Sequence, residues 1–332
     1  MVRGSLPWPI HRGRMRLDVP LDLALSLSCG QAFRWCARPD SGFRGVLGGT
    51  VVDVWQRGPR EVHWESGPQE LPKEAMADYL RLDDDLDAIR RAIGDWRVDA
   101  AFSLYPGLRL LRQEPWETLI SYVVSQMSNV ARISRTVETL AANFGTQLGD
   151  GVSNAFPTPA QLSQASVGSL RLMGLGYRAP HLFEIANAIA DGQVFLEPMR
   201  EMTFGEARRC LMELPGVGPK VADCTLLFGM GHMEAFPVDR WVARAVVEWY
   251  LGGEQIPQER IARWSREHFG AHAGYASQYL FHARRVGGAA CPTPAGGMVD
   301  GMVGGMVGGM VGGMVGGTHV PAAQDDTGPD GA

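Results

Sequence analysis

Lysine is nearly absent from this chain of 332 residues. Two of its 31 basic residues are lysines, Lys73 and Lys220, and all the others are arginines. An arginine keeps its proton in a protein, whereas a lysine can lose it and act as a free amine. Each lysine therefore raises the question of whether an amine, rather than a positive charge alone, is needed at that position.

Cysteines are few, and long apolar runs are missing. The five cysteines are odd in number and fit no zinc-ligand spacing, which predicts free thiols in a reducing compartment. No stretch approaches the roughly eighteen apolar residues that a membrane-spanning helix needs. The N-terminus carries basic residues without an apolar run behind them, so no secretory signal is expected. These absences predict a cytoplasmic protein.

A net positive charge is also missing, since the formal charge at pH 7 is -5. The segment 288–332 contains Asp300, Asp325, Asp326 and Asp330 but no lysine or arginine, which leaves the rest of the chain at -1. Binding of DNA is not excluded by such a charge, provided that one face is basic. Composition alone does not indicate nucleic acid.

Residues 15–66 contain short segments rich in valine, phenylalanine and tryptophan, separated by proline, glycine, aspartate and serine. The segments FRWCA, FRGVLG, TVVDVWQ and REVHWE predict the strands of a small antiparallel sheet. From about residue 73 the apolar period becomes helical, with one stripe from Trp116 to Met127 and another from Val130 to Phe144. Further helices are predicted at 84–94, 176–191, 203–213, 219–231, 239–250, 257–269 and 273–286.

The predicted fold class is therefore α+β. We expect an antiparallel β domain with short helices at 1–100 and an all-α domain at 101–287, which includes a helical hairpin at 203–231. Residues 288–332 hold four consecutive copies of MVGG and predict a disordered tail. A partner-binding segment built on its Met-Val pairs is the alternative.

The segment LPGVGPKVADC, residues 214–224, has the most specific pattern in the chain. Its Pro-Gly pair forces a tight turn, its first valine enters the core, Gly218 permits a close approach of the backbone, and Pro219 begins a new helix. This is the pattern of a helix-hairpin-helix element, which directs unpaired N–H groups at a DNA phosphate without reading the base sequence. A plain hairpin of two helices is the alternative.

Lys220 is placed in the first turn of the second hairpin helix. A cation there opposes the helix dipole, which disfavours the charged form and favours the free amine that a nucleophile needs. Asp239 ends the string FPVD and is expected to cap the next helix. Its carboxylate is also expected to face the Lys220 amine and to stabilise positive charge on a deoxyribose. The alternative role for Lys220 is to neutralise a phosphate.

The chain resembles the helix-hairpin-helix DNA glycosylase superfamily and, within it, the 8-oxoguanine DNA glycosylase/AP lyase family. The resemblance implies a bifunctional enzyme of base excision repair. Such an enzyme flips 8-oxoguanine or a related oxidised purine out of duplex DNA, excises it and cuts the strand by β-elimination through a lysine Schiff base. Lys220 and Asp239 match the catalytic pair of the family. The resemblance runs from about residue 17 to 286 and rests on CGQAFRW (29–35), SQMSNVARI (125–133), GLGYRA (174–179) and the segment from LPGVG to PVD (214–239).

The resemblance also implies a pocket for the damaged base. Gly30 matches the glycine whose carbonyl accepts the N7–H that 8-oxoguanine has and guanine lacks, although it could be a simple turn glycine. Phe281 and Cys224 match the two sides of a slot that holds the base, or else they are ordinary core residues. Phe33 completes the expected pocket.

The base-reading glutamine of the family aligns with Ser277 instead, and Gln278 is its neighbour. Ser277 and Gln278 are therefore both candidates for the base pocket. Because successive helical residues differ by about 100° in direction, the alternative for Gln278 is that it faces elsewhere. Met127 stands where the family commonly has asparagine. We therefore expect altered reading of both the damaged guanine and the opposite base.

On the DNA side, Tyr177 and Arg178 match a loop that fills the space left by the extruded base and probes the opposite base. Arg132 matches an arginine that reads the opposite cytosine, and Trp241 stands where some relatives have a phosphate-contacting histidine. The other expected DNA contacts are Asn129, Gly216 and Gly218, and a monovalent cation could be held by the carbonyls of Leu214 and Val217. The expected partner is double-stranded DNA with an oxidised guanine opposite cytosine, bound by a monomer that is nucleoid-associated if the source is bacterial.

Rival classes differ at identifiable residues. Monofunctional glycosylases of the 3-methyladenine type share the layout but lack the hairpin lysine, and a non-catalytic hairpin module needs neither Lys220 nor Asp239. The endonuclease III and adenine-glycosylase branches carry four cysteines that hold an iron–sulfur cluster after the helical domain. Here only Cys291 lies in that region, so neither a cluster nor any other cofactor is expected.

Overall fold

An antiparallel sheet is formed by the N-terminal part of the chain. This computed structural model describes residues 9–288, 290–293 and 298–299. The sheet has five strands in the described part of the chain, in the spatial order β1-β5-β4-β3-β2. The strands are β1 (His11–Arg16), β2 (Cys36–Ala37), β3 (Phe43–Leu47), β4 (Thr50–Gln56) and β5 (Glu61–Gly67).

The sheet confirms most of the strand prediction and corrects part of it. The last three predicted segments match β3, β4 and β5, but FRWCA contributes only the two-residue β2. The sequence analysis missed β1, and it missed a six-residue helix, α1 (Leu23–Ser28), inside the expected strand region. Asp22 caps that helix by accepting a hydrogen bond from the Leu25 N–H, a local contact that the apolar pattern does not report.

Helices make up the rest of the described chain. Three-residue or longer 3₁₀ segments lie at Glu197–Arg200 and Gly270–His272, and π-helical segments lie at Arg171–Leu175 and Thr225–Met230. The α-helices are α2 (Lys73–Tyr79), α3 (Leu86–Ile93), α4 (Trp96–Leu104), α5 (Pro115–Val124), α6 (Val130–Phe144), α7 (Pro159–Leu162), α8 (Val167–Leu170), α9 (Arg178–Ala190), α10 (Phe204–Met212), α11 (Pro219–Cys224), α12 (Arg240–Trp249), α13 (Gln258–Phe269) and α14 (Ala273–Gly287). The predicted helices are thereby confirmed to within a few residues at their ends.

Two apolar clusters organise these elements. The sheet packs its valines, Met15 and Trp64 against α1 and α2, while the longer helices share a separate core. Buried residues of α3 and α4, such as Ile89 and Phe102, belong to that helical core. The predicted domain boundary at residue 100 therefore falls inside α4.

The apolar stripe predicted from Trp116 to Met127 is wrong at its end. Helix α5 ends at Val124, and Met127 has a positive φ of 48° and is 89% exposed. The Arg178 guanidinium donates hydrogen bonds to the carbonyls of Val124 and Gln126 at 2.8 and 2.5 Å. These carbonyls are therefore satisfied without a further helical turn.

Regular structure continues past residue 288, where we expected it to end. Cys291–Pro292 (β6) pairs with Met298–Val299 (β7), and β6 lies against α4. The MVGG repeats at 302–317 lie outside the described residues, so the tail prediction there stays a prediction. Within the described part of the chain, no helix combines the length and the apolar character that a membrane crossing requires.

Candidate active site and nucleic-acid interface

The hairpin turn between α10 and α11 is held on two sides. Gly216 has a positive φ of 74°, and a Cβ at this position would collide with the His181 ring. The Gly216 carbonyl accepts a hydrogen bond of 2.5 Å from the Gln126 side chain. The turn is thereby fixed both to α9 and to the loop after α5.

Gly218 differs from Gly216 although it lies only two residues away. Its φ of -89° suits any residue, and apart from residues 217–219 no atom of the described chain lies within 4 Å of the position that a Cβ would take. The fold therefore does not require glycine there, and the open space beside Gly218 is available to a molecule outside the chain.

Substitution by alanine is expected to have different effects at these two glycines. Gly216→Ala is expected to lower the free energy of unfolding by about 2 to 4 kcal/mol, because it adds backbone strain and a clash with His181. Gly218→Ala is expected to leave stability unchanged but to weaken DNA binding. Urea denaturation and duplex binding of both variants check this; equal stability losses in the two would contradict it.

Lys220 lies in the first turn of α11, and its ammonium rests against α5. Its Nζ donates a hydrogen bond of 2.9 Å to Ser125 Oγ and lies 4.7 Å from the centroid of the Tyr122 ring. Ser125 Oγ in turn donates to the Tyr122 carbonyl at 2.7 Å, so its lone pairs face the lysine. Lys220 also lines a cavity of about 240 Å³ that includes Gln126 and Val238.

Asp239 caps α12 as expected. Its Oδ1 accepts hydrogen bonds of 2.8 Å from the N–H groups of both Trp241 and Val242. That the carboxylate faces the Lys220 amine stays a prediction, but no ion pair joins the two residues in the described part of the chain. The reason is that the ammonium is held by Ser125 and Tyr122 while the carboxylate is held by the cap.

Tyr122 lies near both Lys220 and Asp239. Burial raises the pKa of its hydroxyl well above the ordinary value, and the nearby Cys224, Cys29 and Asp239 raise it further. Burial also raises the pKa of the Cys224 thiol to about 12, against the lowering effect of Lys220. Cys224 is therefore a neutral thiol near the amine at physiological pH.

A buried carboxylate, that of Asp223, fixes α11 to the neighbouring helices. Asp223 accepts a hydrogen bond of 2.6 Å from Arg208 Nε of α10, and Arg208 also donates to Glu259 of α13 at 2.9 Å. Burial raises the pKa of Asp223 to about 6, although the two arginines beside it, Arg208 and Arg266, lower it. This bracing fixes the helix that carries Lys220 and Cys224.

Gly30 and Phe281, which are both expected in the base pocket, lie close together. Gly30 has a φ of +99°, and a Cβ there would lie 3.8 Å from Phe281 Cε1 and 3.3 Å from the Arg285 guanidinium. Arg285 donates to the Cys29 carbonyl at 3.2 Å. One face of α14 therefore packs against residues 29 and 30. Glycine at position 30 is required by the backbone conformation, which both the pocket role and the turn role allow.

Of the two candidates Ser277 and Gln278, Gln278 faces Cys29 and Ser277 does not. Ser277 Oγ donates to the Pro237 carbonyl at 3.3 Å, whereas Gln278 Nε2 reaches Cys29 Sγ at 3.2 Å. Gln278 therefore faces the segment with Cys29 and Gly30, and the alternative that it faces elsewhere does not hold. The reason is that Gln278 and Phe281 are one helical turn apart and share the face of α14 that lies on Cys29.

Phe33 and Cys224 are both buried. Phe33 packs edge-on against Tyr122, with ring centroids 5.6 Å apart. Its side chain therefore supports the wall behind the lysine in this conformation.

The expected DNA-contacting residues differ in accessibility. Asn129 and Arg132 are exposed, and the Asn129 side chain caps α6 by accepting from the Arg132 N–H at 2.9 Å. Tyr177 is 55% exposed. Arg178 is buried and donates to the carbonyls of residues 124, 126, 174 and 175, so in this conformation it ties two loops together and is not free to probe a base.

The expected cation at the hairpin carbonyls stays a prediction. The Leu214 carbonyl accepts from the Val217 N–H at 3.1 Å, which leaves it one lone pair for a cation. Across residues 9–288, 290–293 and 298–299, no three histidine, cysteine or acidic side chains are grouped so as to hold a metal ion.

The sequence analysis missed the residues that hold Lys220. Ser125 and Gln126 belong to the segment SQMSNVARI, but only its later residues were assigned roles. Tyr122 precedes Ser125 by one helical turn, so the pair occupies one face of the end of α5, and this spacing is the signal that could have identified it.

Comparison with known proteins agrees with the family resemblance seen in the sequence. Residues 15–119 match the family described as 8-oxoguanine DNA glycosylase, N-terminal domain, and residues 120–269 match HhH-GPD superfamily base excision DNA repair protein. The chain is 32% identical to the N-glycosylase/DNA lyase OGG1 of Arabidopsis thaliana over 283 residues, which cover 79% of this chain and 77% of the relative. It is 33% identical to the N-glycosylase/DNA lyase of Saccharomyces cerevisiae over 272 residues, which cover 70% and 71%.

A solved structure agrees in fold. The 8-oxoguanine glycosylase/lyase of Clostridium acetobutylicum, in complex with double-stranded DNA containing cytosine opposite 8-oxoguanine, is similar with a TM-score of 0.76 at 28% identity. The similarity covers 83% of this chain and 97% of that chain.

A small sheet, a helical core and a hairpin with a lysine in its second helix define a base excision repair glycosylase. The chain belongs to the 8-oxoguanine DNA glycosylase family of the HhH-GPD superfamily. It is accordingly an enzyme of the N-glycosylase/DNA lyase type.

Proposed function

We propose that this protein excises 8-oxoguanine and related oxidised purines from duplex DNA and then cleaves the strand through a Schiff base on Lys220. The observation that carries the proposal is the place of Lys220. It is one of only two lysines in the chain, its Nζ lies 4.7 Å from the centroid of the Tyr122 ring, and Cys224 and Asp239 lie near the same ring. The 8-oxoguanine glycosylase/lyase of similar fold supports the choice of lesion.

In the proposed reaction, the unprotonated Lys220 amine attacks C1′ of the extruded deoxyribose while the glycosidic bond breaks and the base leaves. Opening of the sugar ring gives the Schiff base, and loss of a C2′ proton then expels the 3′ phosphate. These steps transfer no electrons to an acceptor, so the proposal includes no redox cofactor. Lys220 must leave Ser125 to reach the sugar, and a rotation of its flexible side chain is enough for that.

Asp239 is proposed to stabilise the positive charge that develops on the deoxyribose. The two cap hydrogen bonds hold Oδ1, and no protein donor occupies Oδ2 among the described residues. The carboxylate is therefore fixed in direction before substrate binds, which avoids reorganisation during the reaction.

Gln278 is proposed to contact the edge of the damaged base. It is buried, yet its amide nitrogen rests only on a thiol, a weak acceptor, and its oxygen has no protein donor within the described part of the chain. The equally buried Gln31 is instead fully engaged, with carbonyl partners at Ser26 and Arg109 and a donor at Leu111. A buried amide with unused capacity suits a ligand that carries adjacent N–H and C=O groups, as guanine derivatives do.

Gln278→Leu is expected to lower 8-oxoguanine excision about 10- to 100-fold, since the base would lose a buried hydrogen-bonding partner. Cleavage at a preformed abasic site should be unchanged, because no base is present there. Ser277→Ala is the matched control and should excise normally, since Ser277 faces Pro237. Equal losses on lesion and abasic substrates would show that Gln278 serves only the fold.

The opposite base is proposed to be read by the exposed Arg132. We propose a preference for cytosine that is weaker with Met127 than with an asparagine. The proposed working state is a monomer on chromosomal DNA in the cytoplasm.

The function is tested with three labelled duplexes, which contain 8-oxoguanine opposite cytosine, guanine opposite cytosine, or 3-methyladenine opposite thymine. Release of 8-oxoguanine with strand cleavage, and neither product from undamaged DNA, is the expected result. Release of 3-methyladenine without strand cleavage would assign the protein to the monofunctional class. Binding without release of any base would leave only a DNA-binding module.

A further inference from the structure

Two buried glutamine amides meet at one thiol. Cys29 Sγ lies 3.4 Å from Gln31 Nε2 and 3.2 Å from Gln278 Nε2. All three side chains are buried, although two of them follow α1 and the third belongs to α14. They adjoin the expected base pocket, because Cys29 precedes Gly30 and Gln278 lies one helical turn before Phe281.

The thiol of Cys29 acts as an acceptor toward both amides. Its single proton is directed at the Ser26 carbonyl, whose oxygen lies 3.6 Å from Sγ. Burial raises the pKa of this thiol to about 11, so the thiol keeps its proton at physiological pH. The sulfur lone pairs are therefore left for N–H groups, and an amide oxygen turned toward the sulfur would find no donor. The thiol thus determines which end of a glutamine amide faces it.

The two glutamines depend on this thiol to different degrees. Gln31 Nε2 also donates to the carbonyls of Ser26 and Arg109, both at 2.8 Å. The Gln31 side-chain oxygen accepts from the Leu111 N–H at 2.9 Å. The Gln278 amide, in contrast, has only the sulfur as a partner within the described part of the chain. Loss of the thiol would therefore leave Gln31 in place and allow the Gln278 amide to exchange the positions of its nitrogen and oxygen.

We propose that Cys29 is a positioning residue that keeps the Gln278 amide oxygen toward the extruded base and thereby favours oxidised guanine over oxidised adenine. This inference rests on the proposed function, in which Gln278 contacts the edge of the damaged base. 8-Oxoguanine presents N1–H and a 2-amino group, which both donate to an oxygen, whereas 8-oxoadenine presents a bare N1 and a C2–H at the same positions. Both lesions carry the N7–H and the C8 carbonyl, so only the edge of the six-membered ring distinguishes them.

The test compares single-turnover excision of 8-oxoguanine and of 8-oxoadenine by the full-length chain, each lesion opposite cytosine in the same duplex sequence. In Cys29→Ala the amide can present either end, so the ratio of the two rates should fall about three- to tenfold from the wild-type value. Every variant meets the same two duplexes, so differences in duplex stability cancel. Cys29→Ser keeps an acceptor and should retain most of the ratio. Cys36→Ala, which removes an exposed thiol of β2, should match the wild type.

Cys29→Ala in the Gln278→Leu background separates positioning from a merely structural role. No amide is left to orient in that background, so loss of the thiol should change the ratio no further. A wild-type ratio in Cys29→Ala, an equal fall of both rates, or the same change of ratio in the Gln278→Leu background would overturn the proposal. Failure of the wild type to release 8-oxoguanine would reject the proposed function and this inference with it. Release with a ratio that Cys29→Ala leaves unchanged would reject only the positioning role.

Discussion

Lys220→Gln is expected to reduce strand cleavage at an abasic site by at least about a thousandfold, because no other amine in the site can form the Schiff base. The second lysine of the chain, Lys73, begins α2 and borders a different cavity, which is lined by residues of β1. Single-turnover cleavage of a labelled abasic duplex measures the effect.

Lys220→Arg is the sharper companion variant. Arginine keeps the positive charge and can donate to Ser125, so folding and DNA affinity should be preserved, but it cannot supply a neutral amine. Both variants should therefore be equally inactive in cleavage. Substantial cleavage by Lys220→Arg would mean that the residue acts only as a charge.

Asp239→Asn is expected to slow base excision about a hundred- to thousandfold while leaving the fold intact. Asparagine caps a helix as well as aspartate does, so the two bonds to the Trp241 and Val242 N–H groups should persist. Only the negative charge is then removed from the site. Excision rates and melting temperature of the same preparation measure the two roles separately.

Asp239→Ala is the matched comparison, since it loses both the charge and the cap. It should melt at a lower temperature than Asp239→Asn, with a loss of about 1 kcal/mol in the free energy of unfolding. Its excision rate should resemble that of Asp239→Asn. An Asp239→Asn variant with nearly normal excision would reduce the residue to a helix cap.

Local sequence patterns predicted the helical hairpin well because its turn is specified by local chemistry. The Pro-Gly pair, the entering valine and Pro219 each impose a backbone conformation that depends on neighbours in the sequence. Asp239 is a similar case, since a cap is made with residues two and three positions ahead. The strands β3 to β5 were equally readable from their runs of β-branched and aromatic residues.

Contacts between distant segments could not be read in this way. Met127 continued an apolar stripe, yet it lies outside the helix because Arg178, far along the chain, takes the carbonyls at the end of α5. The helical step between Ser277 and Gln278 left the direction of Gln278 open, whereas its actual direction follows from the packing of α14 on Cys29. The resting contact of Lys220 with Ser125 joins two segments 95 residues apart.

The resting position of Lys220 also has a consequence for the reaction. Ser125 Oγ and the Tyr122 ring hold the amine at rest, so the proposed reaction requires the Lys220 side chain to rotate toward the sugar and Asp239. An extruded sugar placed between the two residues would supply the reason for that movement.

Borohydride trapping tests most directly whether Lys220 forms the covalent intermediate on a lesion-containing duplex. The protein is incubated with a duplex that holds 8-oxoguanine opposite cytosine, borohydride is added, and the trapped complex is digested for mass spectrometry. We expect a stable adduct whose DNA remnant lies on the peptide containing Lys220. An adduct on the N-terminal amine or Lys73, or base release with no adduct at all, would contradict it.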